Sequence, residues 1–156
     1  LEEPVTICGP LGADLRVSTS EGDADWIVKL IDVFPGDAKD NSFVRPGKHL
    51  SNYQMMVRSE VIRGRFRDNP AKPEPFVSNK PTRVALPLQD VLHTFQPGHR
   101  IMIQVQSTWF PLVDRNPQKY VDNIFEAEED DFTRATHRVY RSKLHASNIE
   151  FGVLDE

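Results

Sequence analysis

Prolines are spread along this chain densely enough to decide its fold class. Twelve of them are distributed among 156 residues. Proline has no backbone N–H, and its ring clashes with the preceding helical turn, so it interrupts α-helices. In sheets it is confined to edges, bulges and strand ends. The sequence therefore predicts short strands joined by turns, and it argues against a helical bundle.

The clearest strand pattern runs from Arg100 to Trp109. Ile101, Ile103 and Val105 share one phase of the period-two alternation with Trp109. Weaker alternation predicts further strands, about eight in all, over 11–17, 26–34, 53–66, 83–88, 136–141 and 148–154. No strand–helix alternation is present, so the prediction is an all-β, antiparallel sandwich of the jelly-roll type.

Two of these segments carry additional signals. Residues 26–34 are apolar on both faces, which indicates a strand covered on both sides and suggests a partner outside the sandwich. The phase of the apolar residues changes within 53–66, which predicts a bulge near Ser59 and Glu60.

The remaining segments are irregular. Residues 35–51 are predicted to form a long loop, and 69–81 an extended connection. Residues 119–133 carry a loosely helical pattern. Either a regular helix or an irregular packed segment fits them, and we favour the irregular one.

The net charge, the length of the apolar runs and the cysteine count argue against several classes of function. A net charge of -4 argues against nucleic-acid binding, and no apolar run is long enough to span a bilayer. The single cysteine, Cys8, is expected to be a buried, inert thiol. The chain opens with Leu1 instead of methionine, so we interpret it as part of a longer protein. Arg63, Arg65 and Arg67 would share one strand face, as a solvated or interface stripe or, alternatively, as a phosphate site.

Motifs for catalysis and for metals or cofactors are missing. The chain has no nucleophile elbow, no phosphate-binding loop, no dinucleotide fingerprint, and no histidine or cysteine pairs at ligand spacing. The acidic run 126–131 is predicted to be a solvated loop, with a calcium site as the alternative. We therefore predict no catalytic residue, no metal and no cofactor in this chain.

The segment Trp109-Phe110-Pro111-Leu112-Val113-Asp114-Arg115-Asn116-Pro117-Gln118 combines aromatic residues with a polar turn. Asp114 can accept from the turn backbone, Arg115 can bind carboxylates or carbonyls, and Asn116 precedes a proline. These features are typical of a structural corner or of an interface loop.

At these residues the chain resembles a known family. The string 109–118, together with Phe95-Gln96-Pro97-Gly98-His99-Arg100-Ile101, is similar to the C-terminal non-catalytic domain of X-Pro dipeptidyl-peptidase-type serine hydrolases. That group includes cocaine esterase, α-amino acid ester hydrolases and glutaryl-7-aminocephalosporanic acid acylases. Segments 9–15, 25–35, 63–67 and 139–142 also fit, so the resemblance extends over almost the whole chain.

The resemblance implies a single galactose-binding-like jelly roll over residues 1–156, which packs on an upstream α/β-hydrolase domain of the same polypeptide. That domain would carry the Ser-His-Asp triad. Homo-oligomerisation of the parent protein and its export are further expectations of the resemblance. Tyr53 and Met55 are candidates for contacts at its active-site entrance, and Trp109, Phe110, Asp114, Arg115 and Asn116 for the interface. Alternatives are a carbohydrate-binding module, which would need an exposed Trp26 or Trp109, and a free-standing enzyme.

Overall fold

The computed structural model describes residues 1–154 as two antiparallel β-sheets packed face to face. The strands are β1 (Val5–Thr19), β2 (Asp25–Val33), β3 (Gln54–Arg63), β4 (Thr82–Phe95), β5 (Arg100–Gln106), β6 (His137–Val139) and β7 (Asn148–Val153). The predicted all-β sandwich is confirmed. Jelly-roll connectivity stays a prediction.

The first sheet is built around β1, which is longer than predicted. It pairs with β4 along one edge, and with β6 and β7 in succession along the other. The apolar opening residues and the predicted strand 11–17 are one strand, and its register with β4 shifts between Pro10 and Gly12. The described residues therefore form seven strands, where about eight were predicted.

β4 is also longer than the strand predicted over residues 83–88. The polar Gln89 and Asp90 indicate a strand end, but Gln89 adopts φ 60 and pairing resumes at Asp90 with Pro10. The irregularity at Gln89 lies opposite the register shift of β1, so both strands deviate from regular pairing at the same point.

The second sheet has the order β3-β2-β5. The predicted bulge in β3 is present and lies at Val57, two residues before Ser59, because Leu30 pairs with Arg58 while Ile31 pairs with Met56. β5 ends at Gln106, three residues before the predicted end at Trp109, and the following chain turns away from the ladder.

The core lies between the sheets. Trp26, Val28 and Leu30 of β2 are buried against the inward side chains of β1 and β4. Ile27, Ile31 and Val33 point to the other face of β2 and are also buried, which confirms the prediction of a strand covered on both faces. Because they are buried by this chain itself, no partner is needed to explain their burial.

The connections are as irregular as predicted. Residues 36–53 and 67–81 contain turns but no strand. Residues 119–133 hold two short 3₁₀ turns, Ile124–Glu126 and Glu129–Asp131, so the irregular interpretation is confirmed. Among residues 1–154, no helix has the length and hydrophobicity needed to cross a membrane.

Candidate functional site

A buried carboxylate with two histidines is the arrangement in this chain that most resembles catalytic machinery. Asp32 accepts from His93 Nε2 at 3.0 Å and from His99 Nδ1 at 2.7 Å. A Ser-His-Asp triad needs a nucleophile at the second nitrogen of the imidazole. Within residues 1–154, no hydroxyl or thiol is hydrogen-bonded to either ring.

The Asp32 cluster has a structural role, because it joins the two sheets. His93 belongs to β4 and Asp32 to β2, so their hydrogen bond joins the two sheets at one end of the sandwich. His99 lies in the turn between β4 and β5, and its ring packs against Phe34 with the ring centroids 4.4 Å apart. No sequence motif marks this cluster, because its members are far apart in sequence and meet only through strand pairing.

Asn116 is the most buried of the predicted interface residues. Its side chain is turned inward and its Nδ2 donates to Asp25 Oδ1 at 2.8 Å. Burial raises the pKa of Asp25, while the Asn116 amide and the nearby Arg63 guanidinium oppose that shift. Asn116 also accepts from the backbone N–H of Gln118 at 2.8 Å, so it fixes the end of the loop that follows β5. Its role here is that of a structural corner.

The three arginines of segment 63–67 do not form one stripe, because β3 ends at Arg63 and a 3₁₀ turn begins at Gly64. Arg65 is buried, and its Nε donates to Asp23 at 2.7 Å. Arg67 donates to the carbonyls of Gly64 and Glu74. Gly64 allows this turn, since a Cβ there would come within 2.5 Å of the Phe76 ring. The predicted shared face is therefore wrong, and the guanidinium groups bind within the domain.

Trp109 anchors the start of the loop that follows β5. The Lys29 ammonium lies 3.9 Å from the centroid of its ring, over the outward face of β2. Between Trp109 and the buried Asn116, the chain leaves Phe110 65% and Leu112 70% exposed. Asp114 and Arg115 are exposed too, and the Arg115 guanidinium lies over the Phe132 ring at 4.9 Å. An anchored loop thus presents two apolar side chains to solvent.

Tyr53 and Met55 lie at the other end of the sandwich. Gln54 pairs with Val33 at one end of β2, whereas the Trp109 loop adjoins Asp25 at the other end. Asp25 and Val33 are eight residues apart in the strand, which corresponds to about 26 Å. Tyr53 is exposed and packs edge-on against Phe34. Met55 pairs with Asp32 and shares its inward face. The structure therefore divides the candidate residues into two groups.

Tyr53 also borders a cavity of about 500 Å³ within the long loop. Its other lining residues are Asn41, Phe43, Val44, Arg45, Lys48, His49 and Leu50. Asp40 holds this loop together, because it accepts from the backbone of Leu50 at 2.8 Å and from the His49 ring at 2.9 Å. Both contacts lower the pKa of Asp40.

The structure gives little support to a carbohydrate-binding surface or to a calcium site. Trp26 is 1% exposed and offers no platform for a sugar, and the Lys29 ammonium occupies one face of the half-buried Trp109. In the acidic run, Asp131 pairs with Lys119 at 2.6 Å. No group of three or more metal-ligating side chains is assembled in the described part of the chain.

His137 gives the fold a predictable response to pH. Burial lowers its pKa below the ordinary 6.5, and its ring packs edge-on against Trp26. Below pH 6.5 the unfolded chain binds a proton that the folded chain resists, so stability is lost as pH falls from there. This residue contributes at most about 1.4 kcal/mol per pH unit to the slope.

We expect urea unfolding of the His137→Phe variant to show a smaller loss of stability between about pH 7 and pH 5 than the wild type. His145 makes no ion pair within residues 1–154 and provides the control, because we expect His145→Phe to keep the wild-type slope. An unchanged slope in His137→Phe would contradict the assignment.

Comparison with known proteins agrees with this geometry. The family described as the X-Pro dipeptidyl-peptidase C-terminal non-catalytic domain matches residues 1–150. This chain belongs to that family. Cocaine esterase from Rhodococcus sp. (strain MB1 Bresler) is 30% identical over 155 residues, which are 99% of this chain and 24% of the esterase.

Several solved structures share this fold. An aminopeptidase from a marine sediment Thaumarchaeota archaeon and an α-amino acid ester hydrolase each match 99% of the chain, with 44% identity and a TM-score of 0.90. A CocE/NonD family hydrolase from Staphylococcus aureus matches at 14% identity and a TM-score of 0.68, which supports the fold alone. The chain spans 24% of the length of the first two proteins.

Proposed function

We propose that this chain is an accessory β-sandwich domain of a serine hydrolase. Its strands have the connectivity of a galactose-binding-like jelly roll. The domain packs on an upstream α/β-hydrolase domain of the same polypeptide and helps shape the active-site entrance. The catalytic domain cleaves an ester or amide bond through an acyl-enzyme, a proposal supported by relatives named as an esterase, an ester hydrolase and an aminopeptidase. The chain's membership in a non-catalytic family and the missing nucleophile beside Asp32 support this division of roles.

The loop between Trp109 and Asn116 is the observation that carries the docking proposal. Exposed Phe and Leu side chains are common singly, but here two lie within three residues on a loop that is fixed at both ends. Fixing the loop in advance lowers the conformational entropy lost on binding. Burying each of these side chains against a partner would contribute about 1.5–3 kcal/mol.

The active-site entrance would adjoin the opposite end of β2. Tyr53 borders the loop cavity there and is exposed, whereas Met55 lies on the inward face of β3 and is half-buried. A partner that contacts both Tyr53 and Phe110 would have to span about 26 Å along the β3-β2-β5 sheet, and we propose that it does so over the outward face. The exposed Met56, which pairs with Ile31 on that face, lies between them. We therefore propose this face as the docking side.

Docking is tested in the full-length polypeptide with the double variant Phe110→Ser, Leu112→Ser. We expect the apparent melting temperature to fall by about 5 °C or more, because the interface loses two buried apolar anchors. In the 156-residue chain alone the same variant should melt within about 1 °C of wild type, since both side chains are already exposed.

The control is Leu92→Ser, which removes an equally exposed leucine from the β1–β4 sheet. It should leave the melting temperature of the full-length polypeptide unchanged. Equal effects of the two variants in the full-length polypeptide would contradict docking through the Trp109 loop.

A further inference from the structure

β5 is an unprotected sheet edge. It pairs with β2 on one side, and within residues 1–154 no strand pairs with its other side. Natural edge strands are usually blunted by prolines, bulges or inward-pointing charges. β5 pairs with β2 without a register shift, contains no proline, and carries a charge only at Arg100. It is therefore a regular template for one more strand.

An apolar groove opens beside this edge. It has a volume of about 470 Å³ and lies between the inward face of β5 and the edge formed by β6 and β7. Its apolar lining consists of Leu15, Ile103, Val105, Val139, Ile149 and Phe151. Val105, Ile149 and Phe151 also pack against the main core, so the groove is an open side of that core.

The groove leaves core side chains accessible to water. Ile103 is 37% exposed and Val139 is 40% exposed, although both point toward the interior of the sandwich. The opposite side of the sandwich is closed, because β3 contacts β4 there. The polar Arg141, Ser147 and Asn148 border the groove, as a surface rim borders a buried apolar centre.

The start of the chain lies beside the turn that leads into β5. The Leu1 nitrogen donates to the carbonyl of His99 at 2.8 Å, and Gly98 N–H donates to the Leu1 carbonyl at 2.9 Å. His99 immediately precedes β5, so Leu1 lies next to the start of this strand. β7 is a poorer template, because its pairing with β1 contains a register shift.

We infer that an extended segment of the polypeptide preceding Leu1 adds to the free edge of β5 as a fourth strand and closes the groove. Its backbone pairs with the outward N–H and C=O groups of β5. Its alternate apolar side chains fill the space beside Ile103 and Val139. The inference rests on the proposed function in one respect, namely that this chain continues an upstream polypeptide.

Hydrogen exchange measured on the full-length polypeptide and on the 156-residue chain tests the added strand. In the isolated chain, the β5 amides that do not bond to β2 should exchange rapidly. In the full-length polypeptide we expect the same amides to exchange at least 100-fold more slowly, with the period-two pattern of a sheet ladder. Exchange in β3, whose outer edge is not involved, should be the same in both.

A charged substitution provides a second measurement. Ile103→Asp should abolish the extra β5 protection in the full-length polypeptide, because a charge would enter the closed groove. In the isolated chain, where Ile103 is partly exposed, its effect on stability should be much smaller. Leu92→Asp, on the outward face of β4, is the control and should leave β5 protection intact.

The outcomes separate this inference from domain docking. Protection at Phe110–Leu112 without protection at β5 would overturn the added strand and keep the docking proposal. Protection at β5 without protection at Phe110–Leu112 would support the added strand and overturn the docking proposal. If the isolated chain already protects β5 and has twice the expected mass in solution, a second copy occupies the edge and the inference is wrong.

Discussion

Replacing Arg65 by methionine is expected to lower the free energy of unfolding by about 3–5 kcal/mol. The guanidinium and the Asp23 carboxylate are both buried, 2.7 Å apart, and Arg65 also donates to the carbonyl of Val121 at 2.7 Å. The Tyr120 ring stacks on the guanidinium at 4.3 Å. Methionine would leave Asp23 as an uncompensated buried charge. Urea unfolding of the chain, followed by circular dichroism, measures the loss.

The double variant Asp23→Asn, Arg65→Met is the matched control. It removes both charges, and the asparagine oxygen can still accept from the backbone N–H of Ala24, which Asp23 does at 2.9 Å. We expect the double variant to recover most of the stability lost in the single one. A single variant that costs less than about 1 kcal/mol would show that the ion pair is not a determinant of the fold.

The second large effect is expected at Trp26, whose replacement by alanine should cost about 3–5 kcal/mol. Trp26 is among the largest fully buried side chains and fills the space between the sheets beside His137. Alanine would leave a cavity that the two rigid sheets cannot close. The loss is measured by urea unfolding as for Arg65, and Trp109 remains as a fluorescent reporter.

Phenylalanine at the same position separates volume from hydrogen bonding. Trp26 Nε1 is buried and has no hydrogen-bond partner among residues 1–154. Phenylalanine keeps most of the ring and removes an unsatisfied donor, so Trp26→Phe should cost less than about 1.5 kcal/mol. If both variants were equally destabilised, the indole N–H would have to be making a contact that this structure lacks.

The strand content of the domain was predictable because alternation and proline are local signals. β2 was recognised as covered on both faces, and the irregular character of 119–133 was also predicted. Errors arose where a strand continued through a polar interruption, as at Gln89 in β4, or where a turn replaced a strand, as at Gly64. Both depend on backbone conformations that neighbouring strands impose.

The candidate site was predictable only in part. The Trp109–Asn116 loop was identified from its composition, but the burial of Asn116 depends on Asp25, ninety-one residues earlier in the chain. The Asp32 cluster is not predictable from the sequence for the same reason, because its two histidines belong to another strand and a turn. Contacts between distant strands follow from register, which single-sequence patterns do not determine.

The central claim is that this chain is a scaffold whose chemistry is supplied by another part of the polypeptide. A fluorophosphonate probe, which labels activated serine nucleophiles, tests it most directly when applied to the full-length polypeptide and to the 156-residue chain. We predict one label on the full-length polypeptide, located outside residues 1–154, and none on the isolated chain. Stoichiometric labelling of a hydroxyl within residues 1–154, with turnover of an activated ester by the isolated chain, would contradict the account.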